Sequence, residues 1–286
     1  MILAMTLLVR DEEDIVGENI AYHLDQGVDH VIVTDHLSVD GTPDIVNEYV
    51  KQGVATYIAE KSRSFDQSGW VTRMARMASV SFGARWVLNN DADEFWLAPA
   101  GRDLKSFFAR QLFHNIVEAR RFDFICLKED DGRPFWRRMV YAKKQSVNAL
   151  GRDLPSKVAH RGSPKITVAD GNHAAWGGGR LRVKRNGLEI AHYPIRSRAQ
   201  YIDKIRRGGE ALAGSERPAH VYDAWRSQFE ELQATGSIAW LEDNIVDGPT
   251  LQKMLSNGEA VIDRRVETRF SRSLAGHRSR PAFAAL

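Results

Sequence analysis

The chain is expected to be an α/β protein with a doubly wound, mostly parallel sheet, on three observations. Over roughly the first hundred residues, short apolar runs suited to buried strands alternate with segments whose apolar residues recur at helical spacing. Gly27, Gly53 and Gly83 stand just past those helical segments, where a left-handed residue ends a helix. Arg10, Asp35 and Asp91 fall at the carboxyl ends of the strand-like runs, where sheets of this class bind ligands. At 286 residues the chain is long enough for one domain with an elaboration.

The elements follow in order. The opening run ILAMTLLV lacks a basic leader and is too short to span a bilayer. It leads directly into Asp11, Glu12, Glu13 and Asp14, so it is a first core strand. From Glu12 to Gln26, Val16, Ile20 and Leu24 lie four apart on one helical face. The strand HVIVT follows, then a helix that Thr42 caps, with Pro43 first and Ile45, Val46, Tyr49 and Val50 inward. After VATYI, a helix from about Gly69 to Phe82 turns Trp70, Met74, Met77 and Ala78 toward the core, and Trp86-Val87-Leu88 forms the next strand.

Beyond it, Asp103 can cap a helix carrying Leu104, Phe107, Phe108 and Leu112, and a strand-like run extends from Ile116 to Leu127. Residues 129–164 show no period and are expected to be loops and short strands. LRVKRNGLEIAHY is expected to be a hairpin turning at Asn186-Gly187. A helix from about Ala199 to Arg207 should stop at Gly208-Gly209, and residues 218–262 should form two or three helices, beginning with HVYDAWRSQFEELQ. No internal repeat, low-complexity tract or clear linker divides the chain.

Composition narrows the class. With 40 Lys and Arg against 37 Asp and Glu, the net charge is only +3, too mild to argue for nucleic-acid binding. Cys126 is the sole cysteine, so no intramolecular disulfide forms, and a reducing, cytoplasmic setting is expected. Its neighbours Phe124 and Ile125 point to a buried thiol. Near the end, Arg264, Arg265, Arg269, Arg272, Arg278 and Arg280 face only Asp263 and Glu267. That segment reads as a solvated, partly disordered tail, or alternatively as a contact for an anionic acceptor or for the inner face of a membrane.

The most informative stretch is Asn89-Asn90-Asp91-Ala92-Asp93-Glu94-Phe95-Trp96, an acidic cluster where a buried strand leaves the core. Two carboxylates on a short segment suit a hard divalent cation that keeps positions open for phosphate oxygens and water. The bland alternative is an acidic turn closing the strand.

Together LLVRDEED, VIVTDHLSVDGT and WVLNNDADEFW, in that order, resemble the nucleotide-sugar half of a GT-A glycosyltransferase of the family 2 type. The resemblance covers residues 1–125 and is thin over 126–286, the expected acceptor-side half. It implies Mn²⁺ or Mg²⁺ at Asp91 and Asp93, with Arg10, Asp35, Asp40, Arg73 and Asp91 around the nucleotide. Ordinary alternatives stand beside two of these: Asp40 before Gly41 is also turn chemistry, and Arg73 on a helix is also a solvated side chain. His192, in IAHYPIRSRAQYIDK, resembles the late His-Tyr element that supplies a third metal ligand in some members; His173, in DGNHAAWGGG, is the competitor. Glu129, Asp130 and Asp131, with Glu94 behind them, are the candidates for an acceptor base. An unambiguous Glu-Asp followed by the usual helix and Arg motif is missing, so inversion follows from the resemblance and not from these residues.

The expected function is metal-dependent transfer of a sugar from a nucleoside diphosphate sugar to a glycan or glycolipid acceptor. A catalytically silent sugar- or nucleotide-binding module is the alternative. A nucleotidyltransferase is disfavoured, because VRDEEDIVG is acidic where a Gly-rich, basic loop would stand.

Overall fold

The computed structural model describes residues 1–62, 64–129, 131–180, 182–213 and 223–276. The first half runs β1 (Leu3–Val9), α1 (Val16–Asp25), β2 (His30–His36), α2 (Thr42–Lys51), β3 (Ala55–Glu60), α3 (Gln67–Phe82), β4 (Trp86–Asp91), β5 (Glu94–Leu97), α4 (Leu104–Ala109) and β6 (Ile116–Asp123). Next come β7 (Cys126–Leu127), α5 (Phe135–Arg138), β8 (Tyr141–Lys143), β9 (Lys157–Arg161), β10 (Thr167–Val168), a short 3₁₀ turn (Asp170–Asn172), β11 (Ala175–Trp176) and β12 (Val183–His192). The remainder is α6 (Arg198–Ala213), α7 (Asp223–Thr235), α8 (Ala239–Asn244), β13 (Ile245–Val246), α9 (Gly248–Ser256), β14 (Ala260–Ile262) and α10 (Arg265–Gly276).

Eight strands form one sheet in the order β3-β2-β1-β4-β9-β6-β12-β5. The first four are parallel, β9 is antiparallel to both β4 and β6, and β12 is parallel to β6 and antiparallel to β5. Helices cover both faces of the parallel part, so the central strands β1, β2 and β4 are mainly apolar on both faces and turn polar toward their carboxyl ends in β2 and β4. Leu3, Met5 and Leu7 of β1 enter one core and Ala4 the other; in β4, Trp86 and Leu88 oppose Val87 in the same way. The α/β class and the doubly wound parallel half are as the sequence predicts.

Several local expectations change. Thr42 is already helical, and its Oγ1 accepts from the Glu12 N–H at 2.8 Å, while Asp40 Oδ1 accepts from the Thr42 N–H at 2.9 Å. Asp66 and Asp103 cap α3 and α4 as acceptors from the Gly69 and Ser106 N–H groups. The α4 helix stops at Ala109, short of Leu112.

Asn186-Gly187 is not a hairpin turn. Strand β12 runs through both residues and pairs with β6 on either side, with a register shift between Lys184 and Leu188 and Gly187 at φ +106°. The glycine's positive φ is spent on a bulge in a continuing strand.

Nor do Gly208 and Gly209 end a helix, since α6 continues to Ala213. A Cβ at these positions would lie 2.0 Å from the Trp225 ring and 2.1 Å from the Phe229 ring. These two glycines let α7 pack directly on the α6 backbone.

The aperiodic segment 129–164 also supplies β9 at the middle of the main sheet. The expected helix start at His220 lies outside the described residues, and α7 is described from Asp223. Near the end, Arg265 pairs with Asp263 and Glu189, and Arg264 with Glu267, on a helix whose Val266 and Phe270 are buried; this is a docked helix and not a solvated tail. Arg278 and Arg280 lie outside the described residues. Among the described residues no helix is long and apolar enough to cross a membrane. Cys126 is buried, with its thiol toward the Arg196 carbonyl at 3.6 Å.

Candidate active site

A cleft of about 930 Å³ opens at the carboxyl ends of β1, β2 and β4. Arg10, Asp40, Asp91, Asp93, His173 and His192 line it; Asp35, Arg73, Glu94, Glu129 and Asp131 do not, and Asp130 lies outside the described residues.

Sheet register builds the centre of the site. β12 sets His192 opposite Asp123 of β6 on one side and opposite Glu94 of β5 on the other. The Tyr193 N–H donates to the Asp93 carbonyl at 2.8 Å, which fastens the His192 segment to the acidic turn. His192 Nδ1 consequently lies 2.7 Å from Asp123 Oδ1, while its Nε2 is 3.6 Å from Asp93 Oδ1. Burial alone would push His192 down, but Asp93 and Asp123 outweigh it and raise it to about 9. Burial opposes ionisation of Asp93 too, yet Lys204 and His192 hold it well below the usual carboxylate range. Lys204, from α6, donates to Asp93 Oδ2 at 2.5 Å.

Asp91 is anchored on both oxygens. Asn172 Nδ2 donates to Oδ1 at 3.0 Å, and Lys157, the first residue of β9, donates to Oδ2. Lys157 is 1% exposed and also pairs with Glu94 Oε1 at 3.2 Å, which Arg121 meets at 3.1 Å. Glu94 is fully buried, and this desolvation raises its pKa despite Lys157 and Arg121. It is held beneath the acidic turn, away from the cleft.

The other candidates have defined partners. Asp35 accepts from Ser38 Oγ at 2.5 Å and from Tyr57 Oη at 2.7 Å. Asp40 accepts from the backbone N–H groups of Thr42 and Glu13. Arg73 pairs with Glu60 at 3.1 Å on the surface. Asp131 is exposed and paired with Arg133, and Glu129 is exposed. His173 Nδ1 donates to the Ser156 carbonyl at 2.9 Å, and burial, aided by Lys157, lowers its pKa to about 4.

Sequence reasoning missed Lys157, Lys204, Asp123 and Asn172, although Lys204 and Asn172 lie inside the very stretches that singled out His192 and His173. A second missed group is Arg196, 3% exposed, which pairs with Asp14 at 2.6 Å and Glu12 at 2.9 Å and ties the chain after β12 to the acidic loop after β1.

Whether these residues suit a divalent cation can be judged from the donors. Among the described residues no three His, Cys, Asp or Glu side chains converge as a ready cage. Magnesium-like ions, however, commonly take one or two protein ligands and fill the remaining positions with substrate phosphates and water. At 3.6 Å, His192 Nε2 and Asp93 Oδ1 are too far apart for a hydrogen bond, and they would have to close to about 3.0 Å to become neighbouring ligands of an octahedral ion about 2.1 Å from each. A carboxylate behind the imidazole, as Asp123 is here, is the usual support of a metal-binding histidine. The donor set fits.

No family model matches the chain, and no curated protein matches it. Among solved structures, the chain is similar to S. aureus TarS 1-349 at 14% identity, covering 80% of this chain and 71% of that one, with a TM-score of 0.43. TarS has also been solved with UDP-GlcNAc. A Mycobacterium tuberculosis glucosyl-3-phosphoglycerate synthase with Mg²⁺ and UDP matches at 18% identity over 43% of each chain, TM-score 0.31. HddC from Yersinia pseudotuberculosis matches at 11% identity over 70% of this chain and 96% of that one, TM-score 0.38. These likenesses are distant. The sheet order β3-β2-β1-β4, with Asp91-Ala92-Asp93 where β4 ends, is a doubly wound parallel half with an acidic turn at its carboxyl edge.

Proposed function

We propose that this protein is a metal-dependent glycosyltransferase that uses a nucleoside diphosphate sugar. The observation that carries the reading is the row Asp123–His192–Asp93, with its 2.7 Å and 3.6 Å spacings, at the mouth of a doubly wound sheet. Asp93 and His192 would hold Mn²⁺ or Mg²⁺, and the bound ion would supply positive charge to the departing diphosphate.

The chain's own residues do the rest. Lys204 and Arg207 of α6, with Arg10 after β1, line the cleft that a diphosphate must enter; they are paired with Asp93 and Asp11 and could turn to phosphate oxygens once an ion occupies the acidic turn. Asp123 keeps the His192 ring oriented, and Lys157 with Asn172 fixes Asp91. Residues 1–125 provide the nucleotide end of this cleft and residues 126–286 most of its opposite wall. Since Glu129 and Asp131 stand away from the cleft, no acceptor base is assigned to them.

Calorimetry of UDP and GDP binding, with Mn²⁺ and with a chelator, tests the reading. Binding should require the ion in the parent protein, and Asp93→Asn and His192→Ala should each remove that requirement together with most of the affinity. Equal affinity with and without Mn²⁺ in the parent would overturn the metal site.

A further inference from the structure

We infer that Tyr201, Trp225 and Trp240 form the acceptor subsite of this cleft, and that the unit they take is a neutral sugar ring. The inference rests on the glycosyltransferase reading and adds the chemical class of its acceptor.

The argument begins with helical spacing. Tyr201, Lys204 and Gly208 stand at i, i+3 and i+7 of α6, on one face, and all three line the cleft. Lys204 reaches Asp93, and one turn further Arg207 reaches Asp11 at 3.0 Å, so α6 crosses the cleft mouth from the end of β12 toward the end of β1. Trp225 of α7 is seated where Gly208 has no side chain, and Trp240 of α8 lies against Tyr201 with ring centroids 5.5 Å apart. Both tryptophans are half-buried and line the cleft. The buried Tyr201 and the half-buried Trp225 and Trp240 therefore form an aromatic wall on the α6 side of the cleft.

Hydrogen-bonding groups edge this wall. Gln228 is 5% exposed, and its Oε1 accepts from Tyr201 Oη at 2.8 Å, which leaves its amide N–H groups to donate; Asp203 lines the same mouth. Flat apolar faces bordered by donors and acceptors match a pyranose, which presents C–H groups on its faces and hydroxyls at its rim. On the proposed reading the diphosphate would lie between the strand ends and the Lys204–Arg207 end of α6, with the aromatic wall beyond it. A ring on the α6 side meets what arrives from solvent, and in a transfer reaction that is the acceptor.

Octyl β-D-glucoside below its micellar concentration carries both a sugar ring and an alkyl chain, and saturation-transfer NMR reports which one the protein touches. UDP binding with Mn²⁺ is measured first, and its absence would count against the glycosyltransferase reading itself. With protein loaded with UDP and Mn²⁺, saturation should reach the ring protons, fall about fivefold or more in Trp240→Ala and return in Trp240→Phe, while UDP affinity stays within about twofold. Saturation confined to the octyl chain would assign the wall to an apolar acceptor. Absent ring saturation, or ring saturation indifferent to Trp240→Ala, would overturn the subsite. A change in UDP-glucose affinity relative to UDP in Trp240→Ala would place the donor sugar there and overturn it equally.

Discussion

Lys204 and Asp93 are 111 positions apart in sequence and 2.5 Å apart in space, and their pairing joins the helix over the cleft to the acidic turn beneath it. The side chains are only 20% and 6% exposed, so each charge depends on the other for solvation lost on folding.

Removing the ammonium should therefore be costly in the metal-free protein. Lys204→Met is expected to lower stability by about 3 kcal/mol, because Asp93 is left buried without its main counter-charge. Mn²⁺ should restore part of that loss in the variant and raise the parent's melting temperature less. Thermal unfolding with and without Mn²⁺ measures this, and an equal metal effect on both proteins would refute it.

Lys157 and Glu94 should behave as a coupled pair. Lys157→Met alone leaves Asp91 with only the Asn172 amide and the buried Glu94 with only Arg121, and is expected to cost about 3 kcal/mol, while Glu94→Gln added to it should recover at least about 1 kcal/mol. Urea unfolding of the four proteins of the cycle gives the coupling. Simple additivity would show that the pair is not energetically linked.

Acid should unfold the protein partly through His23. Its Nδ1 donates to the Asn19 carbonyl at 2.8 Å, and its Nε2 accepts from the Trp96 N–H at 3.3 Å, so the fold holds one neutral tautomer. Burial lowers the folded-state pKa to about 4, against about 6.5 when unfolded. The unfolded chain takes up the proton first, so this contribution is complete above pH about 6.5 and is lost as pH falls toward 4, amounting to about 2–3 kcal/mol by pH 4.5. Denaturant midpoints between pH 7 and 4.5 should fall less steeply in His23→Gln than in the parent. Identical slopes would remove His23 from the account.

Two glycines separate close packing from backbone strain. A Cβ at Gly162 would lie 1.9 Å from the Ala84 carbonyl oxygen, whereas Gly53, at φ +75°, has nothing within 4 Å. Gly162→Ala should cost about 2 kcal/mol or more by forcing the backbone apart, and Gly53→Ala about 1 kcal/mol from conformation alone. Equal losses in denaturant unfolding would contradict the distinction.

Legibility followed the range of the interactions. β1 through β4 could be read because each strand carries a short apolar run and the helices between them carry period and local stop signals. β9 escaped because Lys157-Val158-Ala159-His160-Arg161 offers little apolar contrast, and two strands distant in sequence hold it in place. Gly187 and Gly208 were misread for a shared reason. A glycine announces a missing side chain, but only the fold reveals whether the space serves a turn, a bulge or a neighbouring ring. At the site, Asp91, Asp93 and His192 were visible through pattern and resemblance. Asp123, Lys157 and Lys204 were not, since each acts through a partner 66 to 111 positions away.

The position of β9 also bears on how the chain folds as it leaves the ribosome. Residues 1–91 can align β3, β2, β1 and β4 with local crossovers, but the outer edge of β4 then stays bare for the synthesis of roughly another 66 residues, until Lys157–Arg161 emerges. At about 5–20 residues per second that is an interval of several seconds in which an open, apolar strand edge can recruit another nascent chain. Closing it requires a long loop to be shut, which is slow. Insertion of β9 thus caps a sticky edge and, through Lys157, delivers the cation that Asp91 and Glu94 await.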